Sequence, residues 1–207
     1  MAENGLQLFN KTITKAETKN YLEGVLGKKA ASFSNNIVAL VANDANLQKC
    51  DPFTIMFAGI KATALDLPLD KNLGFAYVIP YENRKKGVTE AQFQIGWRGY
   101  VQLAIRSGQF AAINVTDVRE GELEDFDLLT GEVKFKRVEE REKKPVIGYA
   151  AYFRLTNGFS KTLYMTKGEI DAHANKYSQT YASKNDFVRK SSKWATDFDA
   201  MAKKNLP

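Results

Sequence analysis

One predicted helix near the middle of the chain limits its possible folds more than any other segment. Within residues 93–109, apolar side chains recur at the three- and four-residue spacing of a single helix face. These side chains are Trp97, Tyr100, Val101, Ala104 and Ile105. Residues 91–95 have the β-rich composition of a strand, so a strand should lead directly into the helix. We therefore expect a helix packed on a sheet, with Trp97 mostly buried.

Three polar side chains, Arg98, Gln102 and Arg106, recur every four residues on another face of this helix. A rise of about 1.5 Å per residue places the two arginines about 12 Å apart along the axis. Such a ladder suits contacts with successive phosphates of an extended nucleic-acid strand. Spacing alone favours the plainer alternative, a solvated face with two ordinary arginines.

Two further basic clusters could contact phosphates, which position a strand without reading its sequence. One is Arg84, Lys85 and Lys86 in a predicted hairpin turn. The other comprises Arg189, Lys190, Lys193, Lys203 and Lys204. The alternative for each cluster is a solubilising surface. Tyr77, Tyr81 and Trp97 could stack on bases, although such aromatic residues more often belong to the core.

Composition indicates a globular protein. The chain has 207 residues, of which 44% are apolar and 26% charged, enough for one sizeable core. A net charge of +6 permits a polyanionic partner without requiring one. Cys50 is the single cysteine, so an internal disulfide is excluded, and we expect a small buried hydrophobe there. No signal peptide or membrane-length apolar run is visible, so we expect a cytoplasmic location.

The order of predicted elements is α+β, with a curved antiparallel β-sheet backed by helices. Three helices are predicted first. The first begins at the capping box Thr14–Glu17 and ends at Gly27, and the second follows Ser34 and carries the apolar residues Ile37, Leu40, Val41 and Leu47. The third starts at Asp51-Pro52 and ends at Pro68, with an inward face formed by Phe53, Met56, Phe57 and Ile60.

Predicted strands and helices complete the chain. Strands 74–79 and 91–95 are joined by a charged hairpin turn at 82–87. Strand 110–118 could pair with 133–138. Strands 149–155 and 159–165 are joined by a turn at Asn157-Gly158. Two helices follow, 167–175 and one continuous helix over about 185–204. The inward stripe of the last helix is Phe187, Ser191, Trp194, Phe198 and Met201.

Catalytic motifs are weak. The acidic stretch Glu120, Glu122, Glu124, Asp125 and Asp127 is interpreted as a solvated loop that keeps nucleic acid away from one side. Asp127 with Glu132-Val133-Lys134 is faintly similar to a metal-nuclease pattern, which leaves a nuclease as the enzyme alternative. His173 is the only histidine and is expected to be structural; no Walker-type loop is present.

Gly96–Gly99 fits the GxxG form of KH domains, but a strand precedes it here, so this interpretation ranks lower.

The segments Gln94–Tyr100 and Gln102–Gln109 resemble the central motif of the RecT family of phage single-strand annealing proteins. The resemblance runs from about Asn36 to Lys204. It includes Cys50-Asp51-Pro52, Ala62, Leu65–Leu69, Ala76–Tyr81, Trp194-Ala195-Thr196 and Met201–Lys204. Trp97 replaces the usual tyrosine. The chain stops at Leu206-Pro207, where the family would continue its helix and add a tail, so we expect that tail to be absent.

The resemblance implies ATP-independent binding of single-stranded DNA and annealing of complementary strands in phage-type homologous recombination. It implies a β-β-α-β-type core and an oligomeric ring or helical filament, with no catalytic residue, metal or cofactor. The partners would be single-stranded DNA, the annealed duplex intermediate and a phage-encoded exonuclease, in the bacterial host cytoplasm. It favours residues 1–30 as a helical arm for inter-subunit contacts and 31–207 as one annealing core domain. A nucleic-acid-binding module without annealing activity is the remaining alternative.

Overall fold

The computed structural model describes residues 4–178 and 180–205, so the predictions about Leu206 and Pro207 lie outside the described residues. The chain forms two compact units, Met1–Leu103 and Ala104–Pro207, and the division falls within the helix predicted near the middle of the chain. The α+β class is confirmed, and all the strand pairs are antiparallel.

Four helices open the first unit and enclose one hydrophobic core. They are α1 (Gly5–Thr14), α2 (Ala16–Leu26), α3 (Ala30–Ala42) and α4 (Pro52–Ala64). Phe9, Leu22 and Ile37 come from three of these helices and are almost completely buried together. The helices of the predicted arm therefore pack on their own unit, whereas an inter-subunit role for the arm stays a prediction.

The start of α2 differs from the sequence prediction. Thr14 does not cap α2, because it is the last residue of α1 and its hydroxyl donates to the carbonyl of Asn10 (2.7 Å). The sequence pattern did not predict α1. The capping box belongs instead to α1, between Asn4 and Gln7. Gly27 ends α2 as predicted, with a φ of +53° that favours glycine.

The predicted bounds of α3 are wrong at both ends. The helix begins at Ala30, before Ser34, and stops at Ala42. Leu47 is buried, but it lies in a separate 3₁₀ turn, Leu47–Lys49.

The start of α4 is confirmed, because the Asp51 carboxylate accepts from the Phe53 amide (2.8 Å) and Pro52 is the first helical residue. The helix ends at Ala64, earlier than Pro68. Met56 is buried as predicted and Ile60 packs against the core, but Phe53 and Phe57 are about half exposed. The helix is apolar on most of its circumference, so periodicity did not determine which face is buried.

The first hairpin is confirmed with longer strands, β1 (Ala76–Asn83) and β2 (Val88–Ile95). Its charged turn ends at Gly87, where φ is +66°. The Ala91 amide donates to the Thr54 hydroxyl (2.8 Å), which fixes β2 against the start of α4. Helix α5 (Trp97–Ser107) follows β2, and β3 (Phe110–Arg119) follows α5, so the predicted β-β-α-β order is present.

The described strands belong to three separate sheets rather than to one. In the second unit, β3, β6 (Val146–Leu155) and β7 (Ser160–Thr166) form one sheet, and β6 and β7 meet at the predicted Asn157-Gly158 turn. The prediction that residues 133–138 pair with β3 is wrong. Instead, β5 (Val133–Phe135) pairs with β4 (Leu123–Phe126). A tight turn between them brings these two strands together, and β6 is the partner of β3.

Helix α6 (Lys167–Tyr177) is confirmed, with a capping box between Thr166 and Glu169. The single helix predicted over 185–204 is wrong. It is replaced by α7 (Asp186–Ser191), α8 (Lys193–Thr196) and α9 (Phe198–Asn205). Ser192 and Asp197 leave helical geometry and accept from the amides of Trp194 and Ala200, respectively. Of the predicted inward stripe, Trp194 is buried and Phe198 and Met201 are partly buried, but Ser191 and Phe187 are exposed.

Candidate nucleic-acid interface

Two glycines allow α5 to start close to the chain that precedes β1. The Gly96 amide donates to the Phe75 carbonyl (2.9 Å). A Cβ at Gly96 would lie 2.2 Å from the Gly74 carbonyl oxygen, and a Cβ at Gly99 would lie 2.1 Å from the Phe75 carbonyl oxygen. No larger residue fits either position without movement of the backbone. β2 leads directly into this turn, so the geometry is unlike that of a KH loop, which joins two helices.

Most of the apolar face of α5 is exposed, contrary to the prediction that it is buried, although Val101 and Ala104 are half-buried. The exposed fractions of Trp97, Tyr100 and Ile105 are 41%, 60% and 65%, and Gly99 is the residue of α5 that is buried. Periodicity correctly identified an apolar face, but it does not indicate what covers that face. Trp97 and Tyr100 are three residues apart, so their rings are neighbours on the helix surface.

Arg98 lies beside the Trp97 ring. Its guanidinium carbon is 5.5 Å from the centroid of the Trp97 ring, within the range of a cation–π contact. Its Nη1 donates to the Leu73 carbonyl (3.3 Å), which holds the exposed side chain at the start of α5. Arg106 is also exposed, and Gln102 is half-buried. The helix therefore carries the predicted polar ladder next to exposed aromatic side chains.

The predicted cluster in the β1–β2 turn is exposed but partly neutralised. Lys86 Nζ donates to Glu90 Oε1 (2.7 Å), an interaction that raises the pKa of Lys86 and lowers that of Glu90. Arg84 Nε is 3.5 Å from Glu82 Oε2. Lys85 is exposed at the turn between them. A strand that bound here would compete with two local carboxylates.

The predicted C-terminal cluster is not one uniform surface. Lys203 Nζ lies 2.7 Å from Asp117 Oδ1, so its charge is used within the second unit. The Arg189 guanidinium carbon lies 4.9 Å from the centroid of the Tyr181 ring. All five members are nevertheless exposed; the remaining three are Lys190, Lys193 and Lys204. A role in strand binding stays a prediction for each of these residues.

Asp117 is the important charged residue that the sequence analysis missed. It is an acidic residue inside a predicted strand, and its side chain is only 10% exposed. Arg119 Nε donates to it (2.9 Å), and Arg141 Nη2 lies 3.3 Å away. Arg141 also donates to Glu122 Oε1 (2.6 Å). This ion network gives part of the acidic stretch a structural role rather than that of a solvated loop.

Asp127, suggested for metal chemistry, and His173, expected to be structural, both make structural contacts. Asp127 Oδ1 accepts from the amides of Leu129 and Thr130, at 2.7 and 3.1 Å, and so forms a turn. The His173 ring packs on Tyr177, with centroids 4.5 Å apart. Across residues 4–178 and 180–205, no group of three His, Cys, Asp or Glu side chains could hold a metal ion.

Cys50 is buried, as predicted. Burial, followed by the negative charges of Asp44 and Asp51, raises the pKa of its thiol to about 11. The thiol is therefore protonated at neutral pH and is a poor nucleophile. Within the described ranges, none of the helices has both the length and the apolar character that crossing a bilayer requires.

Comparison with known proteins agrees with the resemblance. The RecT family profile matches residues 31–206. The chain is 45% identical over 184 residues to "Uncharacterized protein YqaK" of Bacillus subtilis (strain 168), a match that covers 89% of this chain and 59% of that protein. It is 33% identical over 166 residues to "Protein RecT" of Escherichia coli (strain K12), over 76% of this chain and 56% of that protein. It therefore spans less than two thirds of the length of either relative. These matches show that the chain belongs to the RecT family.

Proposed function

We propose that the chain binds single-stranded DNA and anneals complementary strands without ATP, in phage-type homologous recombination. Family membership supports this proposal, and one structural observation suggests which residues bind the strand. Helix α5 exposes Trp97 and Tyr100, and the guanidinium group of Arg98 lies beside the Trp97 ring. Basic side chains with adjacent aromatic rings are the usual equipment of proteins that bind single strands without sequence preference.

The proposed contacts divide into two kinds. Arg98, Gln102 and Arg106 would contact the sugar–phosphate backbone, while the rings of Trp97 and Tyr100 would stack on base faces. Neither contact uses the Watson–Crick edges of the bases. A second strand could therefore test its pairing while the first is held, and base pairing itself would supply the specificity. This mechanism requires no catalytic side chain from the protein.

The other basic clusters would add electrostatic attraction. Lys85 at the β1–β2 turn and Lys190, Lys193 and Lys204 near the C-terminus are exposed. Arg84, Lys86 and Lys203 have carboxylate partners, so we assign them smaller contributions to strand binding. Each phosphate contact releases counterions, and binding should therefore weaken as salt is added.

We further propose that the protein acts as a homo-oligomeric ring or helical filament and works with a phage-encoded exonuclease that exposes the strand. A net charge of +6 on one chain is modest, but repetition along an oligomer makes a long basic track. Family membership is the support for both parts of this proposal.

Tryptophan fluorescence tests the proposed surface, because the chain contains only Trp97 and Trp194, and Trp194 is buried. Oligothymidylate should quench the emission of the wild-type protein. The Trp97→Phe variant should retain binding, measured by anisotropy of a labelled oligonucleotide, but lose the quenching. Trp97→Ala should weaken binding by about 5- to 150-fold, corresponding to the loss of one stacked base. Quenching that persists in Trp97→Phe would place the strand elsewhere.

A further inference from the structure

Two consecutive leucines stand at the tip of the β4–β5 hairpin. Leu128 and Leu129 are 88% and 94% exposed, although polar residues and glycine are usual in turns. The turn is held by the Asp127 carboxylate, which accepts from the amides of Leu129 and Thr130, and by the Gly131 amide, which donates to the Asp127 carbonyl (2.8 Å). The leucines are thus presented to solvent by a hydrogen-bonded turn.

The base of the hairpin is anchored in the second unit. Phe126 packs edge-to-face on Tyr164, with ring centroids 5.7 Å apart, and Glu122 is bound to Arg141. The hairpin is also strongly acidic, since residues 120–132 contain six acidic residues and no lysine or arginine. The base of the hairpin is therefore packed, and its exposed part is an apolar tip within an acidic segment.

The first unit carries an apolar surface that could receive such a tip. It is formed by Tyr21 and Val25 of α2 and by Phe53 and Phe57 of α4, which are 46–50% exposed. We call these four residues the α2–α4 patch. The rings of Tyr21 and Phe57 are in edge-to-face contact, with centroids 6.3 Å apart, so the patch is continuous across the two helices.

A shallow cavity opens beside this patch. Its lining includes Phe57, Ala58, Ala91 and Phe93, together with the ammonium-bearing side chain of Lys61. Lys61 is exposed and follows Phe57 by four residues on α4, so the two side chains share a helix face. Thr54 and Gln92 also line this depression, so its surface is mixed rather than apolar. Lys61 beside it has the opposite charge to the acidic hairpin, and the adjoining α2–α4 patch has the same apolar character as the hairpin tip.

We propose that Leu128 and Leu129 of one copy dock on the α2–α4 patch of a second copy. The inference rests on the proposed self-association and specifies its contact surfaces. Two different surfaces meet, so the contact is heterologous, and a bound pair keeps one unused tip on one copy and one unused patch on the other. Such contacts produce rings when the rotation closes and helical filaments when it does not. Charge complementarity with Lys61 would set the orientation of the tip.

Cysteine crosslinking tests the contact directly, because native Cys50 is buried. Copies of full-length Leu129→Cys and of Val25→Cys, distinguished by a size tag, are mixed and oxidised. A mixed disulfide dimer is expected in high yield. The matched control replaces Val25→Cys by Val88→Cys, a similarly exposed position on β2 outside the patch. Equal yields from the two mixtures would overturn the proposal.

Assembly size provides the second test. The double variant Leu128→Ser, Leu129→Ser should remain monomeric in sedimentation velocity, with the same far-ultraviolet circular dichroism spectrum as wild type because both side chains are exposed. Lys61→Glu should also reduce assembly, and adding Glu124→Lys should restore it. Unchanged assembly in the leucine variant would contradict the docking surface, and so would a wild-type chain that stays monomeric with and without single-stranded DNA. Trp97 quenching by oligothymidylate would meanwhile show whether the proposed strand binding stands.

Discussion

Lys203 Nζ lies 2.7 Å from Asp117 Oδ1 and thereby ties α9 to β3 within the second unit. Arg119 Nε donates to the same carboxylate, and Arg141 Nη2 lies 3.3 Å from it. Three cations therefore surround one nearly buried carboxylate. A lysine that the sequence assigns to strand binding thus has a structural partner, although it is exposed like its neighbour Lys204.

Adjacent lysines should consequently differ in their effect on stability. We expect Lys203→Ala to lower the free energy of unfolding by about 1–2 kcal/mol, because a charged hydrogen bond to Asp117 is lost. Lys204→Ala should change it by less than about 0.5 kcal/mol, as is usual for an exposed side chain. Urea denaturation of the two variants checks this difference. Equal stabilities would show that the Lys203–Asp117 pair contributes nothing.

The same carboxylate should make stability depend on acid pH. Burial alone would raise the pKa of Asp117, but hydrogen bonds from Lys203 and Arg119 outweigh burial and hold that pKa at about 2. The folded pKa is below the unfolded value of about 3.9, so the stabilisation is present above pH 4 and is lost as pH falls towards 2. The expected contribution is about 2–3 kcal/mol. Denaturation of wild type and Asp117→Asn between these pH values checks it. A loss of the same size in both proteins would refute the assignment to Asp117.

Glycine substitutions test the close approach at the start of α5. Gly99→Ala places a Cβ where the Phe75 carbonyl oxygen lies 2.1 Å away, so the backbone must move. We expect thermal unfolding to show a loss of about 1–3 kcal/mol, the usual size for overpacking. Gly24→Ala within α2 is the control, because its Cβ meets no atom within 4 Å; it should stabilise by up to about 1 kcal/mol. A neutral Gly99→Ala would contradict this packing.

The polar ladder makes a prediction about salt. Arg98→Ala and Arg106→Ala should each weaken single-strand binding and reduce the slope of log affinity against log salt by about one unit. Lys19→Ala, which removes an exposed cation of α2, is the matched control and should leave the slope unchanged. Anisotropy titrations over a salt series measure these slopes. Wild-type slopes for both arginine variants would mean that α5 is not the phosphate-binding surface.

Cys50 should not react in the folded protein. The thiol is buried and its pKa is raised to about 11, so little thiolate exists at pH 8. A chromogenic disulfide reagent should label it only after denaturation. Rapid labelling of the native protein would show that this part of the first unit opens readily.

Local signals predicted the elements well where a few neighbouring residues decide the geometry. Asp51-Pro52 started α4, Gly27 ended α2 and Asn157-Gly158 joined β6 to β7. These positions depend on backbone conformation and nearby hydrogen bonds, which short motifs encode. The C-terminal helices were mispredicted because Ser192 and Asp197 make side-chain caps inside an apparently continuous apolar stripe.

The exposure of side chains and the contacts between distant residues were harder to predict from the sequence. Periodicity showed that Trp97 and Tyr100 share a face of α5, but burial depends on what the rest of the chain places against that face. The same limit applies to Phe57 on α4. The role of Asp117 depends on Arg141 and Lys203, which are far away in sequence and come together only through the fold.

The proposed activity can be measured directly by the annealing of two complementary oligonucleotides, one carrying a donor fluorophore and the other an acceptor. The assay is run without ATP, with and without magnesium, over a salt series. We expect faster annealing than in buffer alone, no requirement for nucleotide or magnesium, and a steep decline of the annealing rate with salt. Binding without acceleration would contradict annealing activity and leave a nucleic-acid-binding module. Magnesium-dependent shortening of the strands would instead indicate a nuclease.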